Sequence, residues 1–211
     1  MKKNRLETKR NPAVSLAIKK PMGGVVRIVG GSYKRTPLKV RDFDGLRPTP
    51  ERVRETVFNW IAHLLGGCEE RSFCDMFAGS GALGLEAASR GARRVLSIEK
   101  NRECAKTIEE SVEKLQASDR VEVVCADSVR YLQNSTETFD VIFIDPPFAS
   151  ELQLLAVSVA KKRMEPTGLI YVESNRDFSA EEVQRLNLSV LRHGRAGHVY
   201  FFVLASPFSV E

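Results

Sequence analysis

From residue 72 onward, short apolar runs alternate with segments of helical period, and this alternation restricts the possible folds more than any other feature of the chain. Residues 72–77 read as a strand and 82–90 as its helix. A second strand follows at 94–98 with a helix over 101–116, then a third at 121–125 with a short helix after Asp127. Residues 139–144 form a fourth strand, 151–163 a helix and 168–173 a fifth strand. The runs 188–191 and 199–204, set around Gly194 and Gly197, read as a closing antiparallel pair. Strands alternating with helices bury a mostly parallel sheet on both faces. The expectation is an α/β protein with a seven-stranded sheet whose last strand is antiparallel.

Ahead of this core lies a region of different character. Residues 1–56 hold fifteen Lys and Arg against five Asp and Glu, a balance of +10 within a chain of net charge +5. A basic front on an acidic body implies a polyanionic partner. Residues 1–24 read as a flexible basic arm, with Pro21-Met22-Gly23-Gly24 as a hinge. Residues 25–29 and 38–40 read as a hairpin, with the basic loop Tyr33-Lys34-Arg35 between them. Arg47-Pro48-Thr49-Pro50 reads as a turn into a helix, with Thr49 as cap and Pro50 in the first position. Val53, Val57, Trp60, Ile61, Leu64 and Leu65 give that helix its core face. Arg52 lies on the other face and Arg54 near its edge. Lys34, Arg35, Arg47, Arg52 and Arg54 are therefore candidate phosphate contacts, with Tyr33 a ring that can stack on a base or pack, in a hairpin-and-helix unit over 25–65 that faces the polyanion, RNA-binding residues if that partner is RNA. Residues 66–211 form the core. No apolar run approaches the roughly 20 residues of a membrane span. Cys68, Cys74, Cys104 and Cys125 form no C-x-x-C pair, so reduced cytosolic thiols are expected rather than a metal site.

Gly79-x-Gly81-x-x-Gly84 leaves the first core strand and opens its helix, the position of a nucleotide-type loop. Glu99 follows Gly79 by twenty residues and ends the second strand, where an acid can accept both ribose hydroxyls. NAD would bring a pyrophosphate to the helix N-terminus. S-adenosylmethionine (SAM) brings an ammonium and a sulfonium instead. Asp75 would repel the former and could help hold the latter's ammonium indirectly, so the loop Asp75-Met76-Phe77-Ala78-Gly79-Ser80-Gly81 favours SAM. Asp127 can accept from an adenine amine while capping a helix. Asp75, Glu99, Asp127 and Asp145 each end a strand, so all four collect on one sheet edge.

The fourth strand ends in Asp145-Pro146-Pro147-Phe148. Consecutive prolines forbid helix and ladder alike, and each restricts the residue before it. The loop holds a carboxylate, free carbonyls and a ring in fixed relation, which suits an exocyclic amine on a flat base. Asp145 and the Pro146 carbonyl would accept the amine protons, and Phe148 would stack on the base.

With these residues in place, the chain resembles the RsmD-type 16S rRNA (guanine-N2)-methyltransferases over about residues 25–205. The resemblance rests on Arg27-Ile28-Val29-Gly30-Gly31, Leu46-Arg47-Pro48-Thr49, residues 52–60, residues 75–87 and Asp145-Pro146-Pro147-Phe148. It implies a Rossmann-like class I methyltransferase fold, SAM as donor, and a guanine N2 amine in small-subunit rRNA as acceptor, on a ribosomal particle. A cytoplasmic monomer without metal is expected. Rival readings are an amino-methyltransferase for DNA adenine or protein glutamine, an NAD-dependent oxidoreductase, and a non-catalytic RNA-binding assembly factor. The basic front and the Arg-Pro-Thr segment favour rRNA over the first, and Asp75 disfavours the second. The intact glycine loop with Glu99 and Asp145 disfavours the third.

Overall fold

A computed structural model describes residues 24–41, 49–147 and 152–207. The basic arm (residues 1–23 of it), Arg47 and Phe148 lie outside the described residues. Two short strands, β1 (Val25–Arg27) and β2 (Pro37–Lys39), form the expected antiparallel hairpin. Helix α1 (Glu51–Leu65) follows and ends at Gly66 in the left-handed conformation (φ 80°).

The core then winds as β3 (Ser72–Asp75), α2 (Ala82–Ser89), β4 (Arg94–Glu99), α3 (Arg102–Lys114), β5 (Val121–Cys125) and α4 (Ser128–Asn134). It continues as β6 (Phe139–Ile144), α5 (Leu152–Lys161), β7 (Met164–Ser174), α6 (Ala180–Arg185), β8 (Ser189–Ala196) and β9 (Val199–Ala205). Seven of these strands form one sheet in the order β5-β4-β3-β6-β7-β9-β8. The strands from β3 to β7 run parallel, and β9 is antiparallel to both β7 and β8. Chain direction across the sheet reverses between β3 and β6, and the carboxyl ends on either side of such a switch point open a crevice.

Apolar residues cover both faces. One core packs the hairpin, α1, α2 and α3 around Phe58, Phe73, Leu85, Ile108 and Phe143. The other packs α4, α5 and α6 around Met76, Ile98, Leu132, Ile142 and Phe202. Two departures from the sequence reading have local causes. Strand β7 begins four residues earlier than expected, with a register irregularity opposite Phe139 and Val141. Gly168 sits in that irregularity, where a Cβ would stand 3.0 Å from the Asp140 carbonyl oxygen. Helix α6 was not expected, although a capping box between Ser179 and Glu182 marks its start.

Arg54 is not on the surface. Its side chain is fully buried, and its guanidinium donates to the Arg27 carbonyl at 2.7 Å and lies 3.5 Å from Glu86. Glu86, also buried, accepts the backbone N–H groups of Val29 (2.7 Å) and Gly30 (2.8 Å) and the side chain of Arg90 (2.8 Å). This acid ties the hairpin and α1 to α2. The expectation that Arg54 contacts RNA is corrected on that ground: its charge is already spent inside the fold.

Candidate active site

A cavity of about 640 Å³ opens at the carboxyl edge of the sheet, across the switch point. That volume is in the range of small-molecule sites. Its lining includes Asp75, Phe77, Ala78, Gly79, Glu99, Asp127, Asp145 and Pro146, eight of the residues expected from sequence. Gly81 is not in the lining. It stands at the N-cap of α2 with φ 74°, and a Cβ there would meet Ile108 at 3.0 Å. Its role is to let the chain turn tightly against α3. Gly84 serves close packing: a Cβ would fall 2.7 Å from Ser97 Oγ on β4.

The glycine loop satisfies itself. Gly79 N–H donates to Glu99 Oε2 (2.8 Å), Gly81 N–H to the Ala78 carbonyl (2.6 Å) and Gly84 N–H to Asp75 Oδ2 (3.2 Å). Three N–H groups that would cradle a phosphate are thereby committed, and an acid stands beneath them. A pyrophosphate finds no nest here. The second Asp75 oxygen, Oδ1, is buried with no hydrogen-bond partner among the described residues. Burial pushes the Asp75 carboxyl up to about 7, while the Gly84 and Phe77 N–H groups pull it down. An orphaned buried acceptor of this kind calls for a donor from a bound group.

Glu99 is held by two backbone donors, Gly79 at 2.8 Å and Asn101 at 2.7 Å, which fix its carboxylate while leaving lone pairs for hydroxyls. Asp127 caps α4 as expected, Oδ1 accepting the Arg130 N–H (3.1 Å), while Oδ2 lies 3.3 Å from Lys100 Nζ. The Arg130 N–H is the first cause of its depressed proton affinity. Apolar walls come from Leu83, Val129, Leu152 and Leu155. Asp75, Glu99 and Asp127 thus present three acceptors along one cavity with apolar walls, a lining that could hold SAM's ammonium, ribose diol and adenine.

At the β6 end of the cavity the sequence concealed a network. Thr49 does not cap α1, whose N-cap is Pro50. The Thr49 hydroxyl instead lies 2.8 Å from Glu173 Oε1 and 3.3 Å from Asp145 Oδ2. The Tyr171 hydroxyl donates to Glu173 Oε1 at 2.7 Å. Asp145 keeps some exposure to the cavity, whereas Glu173 and Tyr171 are buried. Desolvation, then the Glu173 and Asp75 charges, push the Asp145 carboxyl well above the usual range. Glu173 is raised by burial but lowered by its two hydroxyl partners. Having two donors against one long contact, Glu173 is the better site for the negative charge of the pair, and Asp145 for the proton.

Among the described residues, the other expected RNA contacts divide between two places. The Tyr33-Lys34-Arg35 loop is tied to the far end of α2, where Tyr33 N–H donates to Ser89 Oγ at 2.8 Å. Helix α2 starts at the cavity and runs away from it for eight residues, ~12 Å at 1.5 Å per residue. Arg52, exposed in the first turn of α1, stays near the mouth beside Thr49.

Comparison with known proteins places this geometry. The family model Conserved hypothetical protein 95 matches residues 26–205. The ribosomal RNA small subunit methyltransferase D of Haemophilus influenzae is 38% identical over 160 residues, covering 73% of this chain and 81% of the relative. Its namesake in Escherichia coli K12 is 36% identical over 180 residues, covering 84% and 88%. A structure provisionally described as methyltransferase yhhF from Escherichia coli superposes with a TM-score of 0.73 at 33% identity, covering 87% of this chain and 99% of its own.

Proposed function

The chain belongs to the ribosomal RNA small subunit methyltransferase D family, matched by the Conserved hypothetical protein 95 model, and from that premise we propose that it methylates the exocyclic N2 amine of a guanine in 16S rRNA, presented on the small ribosomal subunit, in the cytoplasm. The observation that carries the reading is the meeting of two sets of groups in one cavity: the SAM donor set on β3, β4 and β5, and the Asp145-Pro146 corner on β6. When bound, SAM supplies an already activated methyl on a sulfonium, so transfer needs an aligned nucleophile rather than a metal.

The chain's own residues supply that alignment. A guanine amine is a weak nucleophile because its lone pair is delocalised into the ring. Asp145 and the Pro146 carbonyl would accept hydrogen bonds from its two N–H groups and turn the nitrogen lone pair toward the methyl, and the Asp145 carboxylate would take the one proton released as the N–C bond forms and the S–C bond breaks. Proline stiffness holds both acceptors in place without reorganisation, so the gain comes from positioning and electrostatics. Asp145 must be ionised to accept. A cation in the cavity favours that ionised form, and Glu173 opposes it. The target base must be unpaired or flipped to reach the corner. The free cysteines Cys68, Cys74 and Cys104 are buried, which suits a reducing compartment.

Asp145→Ala tests the assignment. SAM affinity should remain near wild type while transfer to small subunits falls by at least two orders of magnitude, the scale on which a positioned acceptor contributes. A variant that turns over at the wild-type rate removes Asp145 from the chemistry.

A further inference from the structure

With Arg54 buried and the Tyr33 loop at the opposite edge, Arg52 is the expected contact that stays, among the described residues, beside an acid-lined cavity that by itself repels phosphate, and a second basic surface there would help seat the RNA. The β8–β9 hairpin offers one. Tyr200 pairs with Ser174, the residue after Glu173, so the hairpin turn at Gly197 and His198 projects from the same carboxyl edge as the cavity. Strands β7, β9 and β8 succeed β6 in the sheet, which puts the hairpin ~10–15 Å from Asp145 at about 4.8 Å per strand.

On one face of the hairpin Arg195, Tyr200 and His193 stack in a row that continues inward onto the buried rings of Phe202 and Phe178. The Arg195 guanidinium lies 4.9 Å from the Tyr200 ring centre. His193 is parallel to Tyr200 at 6.2 Å and stacks on Phe202 at 4.8 Å. Phe202 stacks on Phe178 at 4.9 Å, and Arg176 covers Phe178 at 5.4 Å. His193 and Arg195 are exposed and Tyr200 half-buried. Residues 189–205 include no acid. The acids nearby are Asp177, 3.6 Å from His193, and Glu182, paired with Arg176. Arg195 pairs with no carboxylate among the described residues; its Nε donates to the Gly197 carbonyl at 2.9 Å.

We propose that this face of the β8–β9 hairpin, centred on Arg195 and Tyr200, docks the single-stranded rRNA next to the target guanine. Arg195 meets a phosphate, and the Arg195–Tyr200 stack offers a platform to a neighbouring base. The inference rests on the rRNA reading above. A plainer explanation exists for the charges: β8 is the sheet's edge strand, and charged side chains there block pairing with another chain. A charge of either sign serves that purpose, whereas only a cation serves RNA.

Arg195→Glu separates the two. It keeps an edge charge but reverses its sign. Binding to small subunits and to protein-free 16S rRNA is measured against salt, with SAM affinity and melting temperature as checks on folding; Tyr200→Leu keeps the packing as a second variant, and Lys114→Glu, at an exposed cation in the last turn of α3, is the control. Docking predicts at least a tenfold weaker Arg195→Glu complex with both RNA forms and a salt slope smaller by about one, weaker binding for Tyr200→Leu, and no change for Lys114→Glu. Wild-type affinity and slope in both hairpin variants would overturn the proposal. Loss on the particle with none on free rRNA would assign the surface to a ribosomal protein, and would overturn it too. Failure of the wild-type enzyme to methylate small subunits would instead sink the underlying function.

Discussion

Burial of Asp75 costs the ligand-free protein stability, and the size of the effect can be worked out. Its carboxyl moves from 3.8 to about 7 on folding, with burial as the first cause. About three units correspond to ~4 kcal/mol against the ionised folded state. Between those two values the folded chain binds more protons than the unfolded one, so stability falls as pH rises and levels off above about 7. Between pH 5 and pH 8 the loss from this one group is ~2.5 kcal/mol. For a chain of this size, that is ~5–10 °C in melting temperature. Asp75→Asn removes the titration, while Asp145 and Glu173 remain in both proteins. Thermal unfolding of ligand-free wild type and variant at pH 5 and pH 8, at equal ionic strength, should show the variant gaining ~5–10 °C on wild type across the interval. The same variant should bind SAM weakly at every pH, whereas wild-type affinity should rise with pH up to about 7 as the carboxylate becomes available. Parallel melting curves for the two proteins would refute the assignment of this cost to Asp75.

Two further outcomes follow from the buried networks. Glu173→Gln removes the charge that holds the proton on Asp145, so the acid limb of the methyl-transfer pH profile should move to lower pH with SAM affinity little changed; an unmoved limb would separate Glu173 from Asp145. Glu86→Ala strands the buried Arg54 and two backbone N–H groups, and should cost ~3–5 kcal/mol in urea unfolding, whereas a loss under 1 kcal/mol would mean the hairpin and α1 hold to α2 without it.

The sheet and the cavity acids were legible because they rest on local signals. Alternating period gives strands and helices, and an acid at each strand's end is fixed in space once the strands are parallel. Asp75, Glu99, Asp127 and Asp145 therefore met as the order of the elements required. Arg54 was misread because helical period locates a residue on a face but cannot name its partner. Glu86, which neutralises it, lies 32 positions on in another helix. Thr49 had the look of a cap, yet its hydroxyl serves Glu173, 124 residues away, and nothing local marks that distance. Glu173 itself closes an apolar run like any strand-end acid. The Tyr33-Lys34-Arg35 loop is basic in sequence, but only the tie to Ser89 reveals which edge it occupies. The Gly79-x-Gly81-x-x-Gly84 pattern was visible, although its three glycines turn out to serve a bond to Glu99, a tight turn and close packing, in that order.

The central claim is that the Asp145-Pro146 corner delivers a guanine amine to the methyl of SAM. Small subunits from cells lacking this protein, incubated with the purified enzyme and methyl-labelled SAM and then digested to nucleosides, should carry the label in N2-methylguanosine of 16S rRNA. Label in another nucleoside, or in protein and not RNA, would contradict it.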